Sequence, residues 1–201
     1  MIRADLHLHT RHSLDATLLP KTVVERLNRH PTLNAIAITD HNTTKGYFEA
    51  SEYAKAYPDI LIIPGVELSA REGEIILLGA TELPPQPWTA QNIVDHAKAH
   101  NLLTIASHPY RGLGLRDLAK QLNLDAIETL NGITEPELNK QAQQVATARR
   151  LPCTAGSDAH FDTDAWNVQT EIQATLDVDS ILSAIRKGRT RTLTVTDSTH
   201  S

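Results

Sequence analysis

The fold is decided by the stretch Asp5-Leu6-His7-Leu8-His9-Thr10, near the start of a chain of 201 residues. The stretch completes an apolar run that begins at Ile2. Alternate residues of a strand point the same way, so His7 and His9 can reach one metal ion, or two adjacent ions, from one strand end. The stretch therefore predicts a buried strand that ends in a metal-binding pair.

Short runs rich in Ile, Val, Leu and Thr recur along the chain, as is typical of strands buried on both faces. They span residues 2–6, 35–39, 60–63, 75–78, 102–106, 126–130, 151–155, 171–176 and 191–195. Segments with helical spacing lie between them, at 21–29, 43–56, 90–100, 115–122, 136–149 and 178–187.

This alternation predicts parallel strands joined by right-handed helical crossovers, hence an α/β barrel or a doubly wound sheet. The exception is the pair of runs 66–70 and 74–78 around Gly73, which are too close for a helical crossover and predict a hairpin. The residues at the strand ends favour the barrel. We expect one domain over residues 1–196 and a frayed tail over 197–201.

Composition restricts the location and the partners of the chain. A formal net charge of −5 and a pI near 6.0 give no reason to expect long nucleic acid, which needs a basic footprint. The single cysteine, Cys153, can form neither an internal disulfide nor a thiolate cluster. No signal pattern and no apolar run of about 18 residues is present, so we expect a cytoplasmic protein that contacts no membrane.

Metal-capable side chains follow nearly every strand-like run. They are His7 and His9, Asp40 and His41, Glu67, His108, and Asp158 and His160. In a barrel the first and last strands are neighbours, so the pair at 158–160 would meet the pair at 7–9. Imidazoles mixed with carboxylates suit Zn²⁺, Mn²⁺ or Fe²⁺, and the lack of thiolates argues against a structural zinc site.

With these motifs the chain resembles the polymerase and histidinol phosphatase (PHP) domain family over essentially its whole length. The motifs are Asp5-Leu-His7-Leu-His9-Thr10, His12-Ser13-Leu14-Asp15, Ile38-Thr39-Asp40-His41-Asn42, Pro64-Gly65-Val66-Glu67, Ser107-His108-Pro109 and Gly156-Ser157-Asp158-Ala159-His160. The resemblance implies a distorted, TIM-like (β/α)7 barrel with two or three metal ions at the carboxyl ends of the strands.

The resemblance also implies the roles of individual residues. The implied metal ligands are His7, His9, Asp15, His41, Glu67, His108, Asp158 and His160. Glu67 would bridge two ions, and Asp5 and Asp40 would orient imidazoles from the second shell of the site. Many phosphoesterase members have a histidine in the strand after the bridging glutamate, where this chain has Ile76, and some have one where this chain has Asn131. We therefore expect two firmly held ions and a third that is weak or depends on substrate.

The implied reaction is hydrolysis of a phosphate mono- or diester by a hydroxide held between two metal ions. We expect Arg111 to bind the substrate phosphate through its forked donors, and Asn131 to contact phosphate or metal-bound water. Glu67 would take part in the reaction by bridging the two ions. Asp15, His160 or a metal-bound water could protonate the leaving group.

The expected partner is a small phosphorylated metabolite or nucleotide, with a short oligonucleotide as a further possibility and no obvious protein partner. Two alternatives stay open. One is an amidohydrolase-type metal hydrolase, which also begins with His-x-His. Against it, this chain has no obvious lysine at a strand end to form a bridging carbamate. The other is a non-catalytic metal-binding PHP module.

Overall fold

The computed structural model describes residues 1–195, which contain nine strands and five α-helices. In chain order these are β1 (Ile2–Leu8), α1 (Pro20–Arg29), β2 (Ala35–Ile38), α2 (Lys45–Ala54), β3 (Leu61–Ala70), β4 (Gly73–Leu78), α3 (Ala90–Ala99), β5 (Leu103–Ala106), β6 (Ala126–Asn131), α4 (Pro136–Arg149), β7 (Cys153–Gly156), β8 (Val168–Ile172), α5 (Val178–Arg186) and β9 (Thr190–Thr194). The predicted tail at 197–201 and the last residue of the predicted domain, 196, lie outside the described residues.

All nine strands form one sheet in the order β7-β6-β5-β4-β3-β2-β1-β8-β9. The sheet curls until the segment after β7 meets the end of β1, where the Asp158 amide donates to the His7 carbonyl at 2.8 Å and the His9 amide to the Ala159 carbonyl at 3.0 Å. This nearly closed sheet confirms the predicted α/β barrel. The expected hairpin is also present, since β3 and β4 pair antiparallel.

Three details differ from the sequence prediction. The strand expected at 171–176 is β8, which lies earlier and runs antiparallel to both β1 and β9. The helix before β9 does not serve as an outer crossover, because Ile181, Leu182 and Ile185 of α5 pack into one cluster with Ile2 of β1. The helix expected at 115–122 is a short 3₁₀ helix, Arg116–Lys120.

An irregularity in β1 turns its histidines toward the interior. Ala4 and Leu6 belong to the interior cluster, whereas Leu8 packs outside against α1. The register with β2 shifts between Asp5 and Leu8, where three steps along β1 match two along β2. The extra residue lets His7 and His9 face the same side as Leu6, in the way that bulges re-aim side chains near functional sites.

Within residues 1–195, no helix combines the length and the apolar character that crossing a membrane would require.

Candidate metal centre

Four side chains from three parts of the barrel bring one donor atom each to a common point. The Nε2 atoms of His7 and His9 lie 3.0 Å apart. Glu67 Oε2 is 3.2 Å from the first nitrogen and 3.3 Å from the second, and Asp158 Oδ1 is 3.3 Å and 3.2 Å away. Donors that share one ion at about 2.1 Å lie about 3 to 3.5 Å apart, so this spacing fits one divalent ion.

The pKa values of these side chains reflect the strong electrostatic field of their charged neighbours. Burial lowers the pKa of His9, but the close carboxylates of Asp158 and Glu67 outweigh burial and raise its pKa to about 9. Burial likewise raises the pKa of Glu67, yet the surrounding imidazoles, with His7 foremost, hold this pKa well below its usual range. The group therefore keeps its carboxylate charged and attracts positive charge, as a metal site does.

Several buried polar atoms of the cluster have no hydrogen-bond partner among residues 1–195. They are His41 Nδ1, Glu67 Oε1, His108 Nδ1 and Asp158 Oδ1. Buried polar atoms are normally paired, and exceptions often mark an ion or a water. The donor set and these unpaired atoms both fit a divalent metal ion.

A second group lies beside the first and is more open to solvent. Asp15 Oδ2 is 3.6 Å from His41 Nε2 and 3.5 Å from His160 Nε2. The Nδ1 atom of His160 donates to the Asp158 carbonyl at 2.8 Å, which leaves Nε2 free to bind an ion. The carboxyl group of Asp15 is 57% exposed, so this side of the centre opens to solvent.

The far side of the centre holds His108 together with Glu74, a residue that the sequence analysis missed. His108 Nε2 is 3.2 Å from Glu67 Oε1 and 3.7 Å from Glu74 Oε2. Burial and the charge of Glu67 raise the pKa of Glu74 to about 7. Strand alternation within the predicted hairpin could have revealed Glu74, since it shares the inward face with Ile76.

Two of the ligand candidates have unusual backbone conformations. His108 and Asp158 follow β5 and β7 and have φ angles of 26° and 55°. Residues other than glycine seldom adopt positive φ, and such strain collects at functional sites. At both strand ends the turn directs the side chain into the centre.

Glu128 orients His7 and was also missed in the sequence. Its Oε1 atom accepts from His7 Nδ1 at 3.0 Å, and its Oε2 atom accepts from the His108 amide at 2.8 Å and from Asn131 Nδ2 at 3.0 Å. A carboxylate behind a metal-binding imidazole fixes its tautomer and ring orientation. No local motif identifies Glu128 as a site residue, because it lies in an ordinary apolar run.

The two aspartates expected to orient imidazoles act less directly. Asp40 accepts from Ser13 Oγ at 2.9 Å, and this hydroxyl contacts His9 Nδ1 at 3.2 Å. Asp5 contacts no imidazole nitrogen and instead accepts from the amides of His7 and Ser157 at 3.2 and 2.9 Å. Asp5 therefore acts on His7 only through the backbone, and its carboxylate joins β1 to the segment after β7.

The two predicted substrate-binding residues lie at the centre, in different surroundings. Arg111 lines the open cleft with its side chain 28% exposed, and its guanidinium forms an ion pair with Asp158. Asn131 is buried, and its amide group donates to Glu128 and, at 3.1 Å, to Asp158. Asn131 thus positions carboxylates instead of facing the cleft.

The centre forms the floor of an open cleft of about 560 Å³. Its charged lining is mostly acidic, with Arg111 as the arginine in the wall and no lysine among the lining residues of the described chain. Its rim holds three exposed apolar residues, Leu113, Ile133 and Phe161. Without bound cations such a cleft would repel an anionic substrate.

Two relatives of known sequence and one family model match the chain. An uncharacterized protein of Methanocaldococcus jannaschii, MJ1587, is 30% identical over 142 residues, which cover 65% of this chain and 82% of that protein. A second uncharacterized protein of the same organism, MJ0417, is 28% identical over 177 residues, covering 83% and 68% respectively. A model described as PHP-associated matches residues 136–190. The chain belongs to the PHP family.

Solved structures share the barrel at low sequence identity. A predicted metal-dependent phosphoesterase of Bifidobacterium adolescentis is 18% identical with a TM-score of 0.64, over 78% of this chain and 87% of that one. An amidohydrolase of Chromobacterium violaceum with bound sulfate is 18% identical with a TM-score of 0.67, over 98% and 99%. PsfC of Pseudomonas syringae is 17% identical with a TM-score of 0.65, over 97% and 93%. These likenesses confirm the fold.

Proposed function

We propose that this protein is a metal-dependent hydrolase of phosphate mono- or diesters, acting on a small metabolite or nucleotide. The observation that carries the proposal is the convergence of His7, His9, Glu67 and Asp158, whose donor atoms are separated by 3.0 to 3.3 Å at the base of the cleft. Divalent ions held there would neutralise phosphate oxygens and supply a hydroxide nucleophile at neutral pH.

Arg111 gives the cleft a donor for phosphate. A guanidinium carries five N–H donors in a rigid fork, so it can keep its contact with Asp158 while it donates to a phosphate oxygen. The acidic lining makes this contact productive only when cations occupy the centre. We therefore propose that phosphate binding requires metal.

Asp15 and His160 form the solvent-facing edge of the centre. Asp15 is accessible from the cleft, and His160 is held by the Asp158 carbonyl so that its Nε2 atom faces Asp15. A proton can pass from solvent through this pair to a leaving group at the cleft opening. We propose that the pair protonates the leaving oxygen while no ion occupies the open edge of the centre between Asp15 and His160.

The rim suggests what lies beyond the phosphate. Leu113 and Phe161 are 69% and 50% exposed and lie on the wall of the cleft, where they can cover an apolar or flat group. A nucleobase or a similar organic group would gain contact there, whereas a bare sugar would gain less. This favours a nucleotide or another small ester with an apolar portion.

A product screen tests the proposal. The protein, stripped of metal and reloaded with Mn²⁺, is incubated with mononucleotides, short oligonucleotides, phosphorylated metabolites and, in parallel, simple amides and lactams. We expect phosphate or a phosphomonoester as product, with no turnover in the presence of a chelator. Release of ammonia or of a new carboxylate would instead assign an amidohydrolase activity.

A non-catalytic role gives a different result in the same screen. Such a module would bind Mn²⁺ and gain thermal stability from it, yet turn over none of the phosphate esters. That outcome would overturn the proposed activity.

A further inference from the structure

A groove at the foot of the barrel, on the side away from the metal centre, is lined by cations. It has a volume of about 480 Å³ and lies between the end of α4, the start of β7 and the loop that joins α5 to β9. Among the described residues its charged lining consists of Arg150, Arg186 and Lys187, with no carboxylate. In a chain with a formal net charge of −5, this groove is a local basic site that attracts anions.

The fold itself uses only some of the basic side chains at this place. Cations near helix C-termini often serve only to offset the helix dipole and to bond free carbonyls. Arg149 donates to two backbone carbonyls ahead of β6, and Arg186 pairs with Asp125 at 3.5 Å. By contrast, Arg150 and Lys187 are exposed, and among the described residues neither side chain forms a hydrogen bond or an ion pair. These two cations are free to hold a ligand.

The backbone of Arg150 gives a second reason to assign a role to this residue. Arg150 ends α4 in the left-handed region, with φ of 55° and ψ of 38°. Glycine is the usual residue in that conformation, because a Cβ is unfavourable there. The side chain of Arg150 makes no contact that would compensate for this strain, and strained residues of this kind collect at functional sites.

We propose that the groove is a second binding site of the protein, which takes a small phosphorylated molecule with two or more negative charges. The forked donors of Arg150 would bind phosphate oxygens bidentately, and Lys187 would add a mobile point charge from the opposite wall. The volume of about 480 Å³ is within the range of pockets that hold small organic ligands. This inference does not depend on the proposed hydrolysis.

The groove is separate from the metal centre. Cys153 at the start of β7 lines the groove, and the same strand leads to Asp158 at the centre. At about 3.3 Å per residue the two ends are roughly 15 Å apart, so one small anion cannot reach both. Binding in the groove should therefore need no metal ion.

The test is binding of inorganic tripolyphosphate, measured by calorimetry on the full-length protein after removal of metal, so that the acidic cleft repels the probe. Wild type is compared with Arg150→Gly, Lys187→Gln and the control Arg71→Gln. Arg71 is exposed on the turn between β3 and β4, so its variant removes a positive charge far from the groove. We expect wild type and Arg71→Gln to bind equally, and each groove variant to bind about 10-fold more weakly or worse.

Arg150→Gly also separates ligand binding from a role in folding. Glycine suits the left-handed conformation, so we expect this variant to unfold at the same temperature as wild type or higher, although it binds the probe more weakly. An unchanged Kd in either groove variant would overturn the proposal, and so would a lack of saturable binding by wild type or equal weakening in Arg71→Gln.

A titration with ATP distinguishes two sources of the phosphate groups. If ATP binds more tightly than tripolyphosphate and the groove variants weaken it, the ligand is a nucleotide. If ATP binds equally or more weakly, the groove recognises phosphates alone. Binding of ATP that the groove variants leave unchanged would contradict the proposed site.

Discussion

At the scale of single residues, Glu128 orients His7 within the candidate metal centre. His7 is fully buried, with Nε2 toward Glu67 and Nδ1 donating to Glu128. Glu128 also accepts from the His108 amide and from Asn131. One carboxylate therefore sets the orientation of two candidate ligands and receives only donors.

Glu128→Gln is expected to weaken metal binding by about 10- to 100-fold. The amide has the shape of the carboxylate, but its NH₂ group must face either His7 or the donors from His108 and Asn131. The measurement is the Kd for Mn²⁺ of the metal-stripped variant by calorimetry.

The matched control is Glu137→Gln, an identical change at an exposed position of α4. It should bind Mn²⁺ as wild type does. If Glu128→Gln also bound Mn²⁺ with the wild-type Kd, the orienting role of Glu128 would be wrong.

The position of a site residue along the chain decides whether the sequence predicts it. His7, His9, His41, Glu67 and Asp158 stand where apolar runs end, so strand periodicity and motif spacing find them. Glu128 lies inside such a run and Glu74 near the start of one. Strand alternation in the hairpin points to Glu74, but the role of Glu128 depends on His7, which is 121 residues away in sequence, and no local pattern predicts such a contact.

At the scale of elements, the junction of β1 with β7 carries the centre. Gly156 ends β7 beside His7, where an added Cβ would lie 2.2 Å from the Cβ of His7 and 2.8 Å from Glu128 Oε1. Neither neighbour can withdraw, since both are buried and joined by a hydrogen bond. Only glycine lets the two strands approach this closely.

Gly156→Ala is expected to destabilise the protein by about 3 kcal/mol, the upper range for overpacking, and to weaken Mn²⁺ binding because His7 must move. Thermal unfolding and metal titration measure the two effects. Gly188→Ala is the control, since its Cβ meets nothing and only its φ of 65° is unfavourable. It should cost about 1–2 kcal/mol and leave Mn²⁺ binding unchanged.

If Gly156→Ala bound Mn²⁺ as tightly as Gly188→Ala does, the close approach would have no part in shaping the centre.

At the scale of elements, some features of the fold cannot be predicted from the sequence. Apart from the 3₁₀ helix at Arg116–Lys120, the strands and helices up to β7 follow from periodicity, and so does the hairpin of β3 and β4. The direction of β8 does not, because it depends on where α5 packs. An amphipathic helix buries one face in either arrangement, and its sequence does not say whether that face meets the outside of the sheet or joins the interior cluster of Ile2.

At the scale of the whole molecule, the buried charges make stability depend on pH. The pKa of His9 in the folded, metal-free protein is raised from 6.5 to about 9, so its stabilising protonation is complete below pH 6.5 and is lost as the pH rises through 9. The pKa values of Asp5 and Glu74 are raised to about 6 and about 7, mainly by burial, so their ionisation also destabilises the fold as pH rises.

We therefore expect the Tm of metal-free protein to fall between about pH 6.5 and pH 9, the range in which His9 loses its proton. With saturating Mn²⁺ the ions replace these protons, so the Tm should fall less over the same range. Thermal unfolding in chelator and in Mn²⁺ at several pH values makes the comparison. A Tm that rose with pH in chelator would contradict the assigned shifts.

The central claim is that the cluster around Glu67 is a metal centre that hydrolyses phosphate esters. The direct measurement is the rate of bis-p-nitrophenyl phosphate hydrolysis as Mn²⁺ is added to wild type and to Glu67→Gln. We predict that the rate rises with Mn²⁺ concentration in wild type. In a folded Glu67→Gln variant the rate should be lower by a factor of about 1000 or more at every Mn²⁺ concentration. Hydrolysis by Glu67→Gln at the wild-type rate would contradict the account.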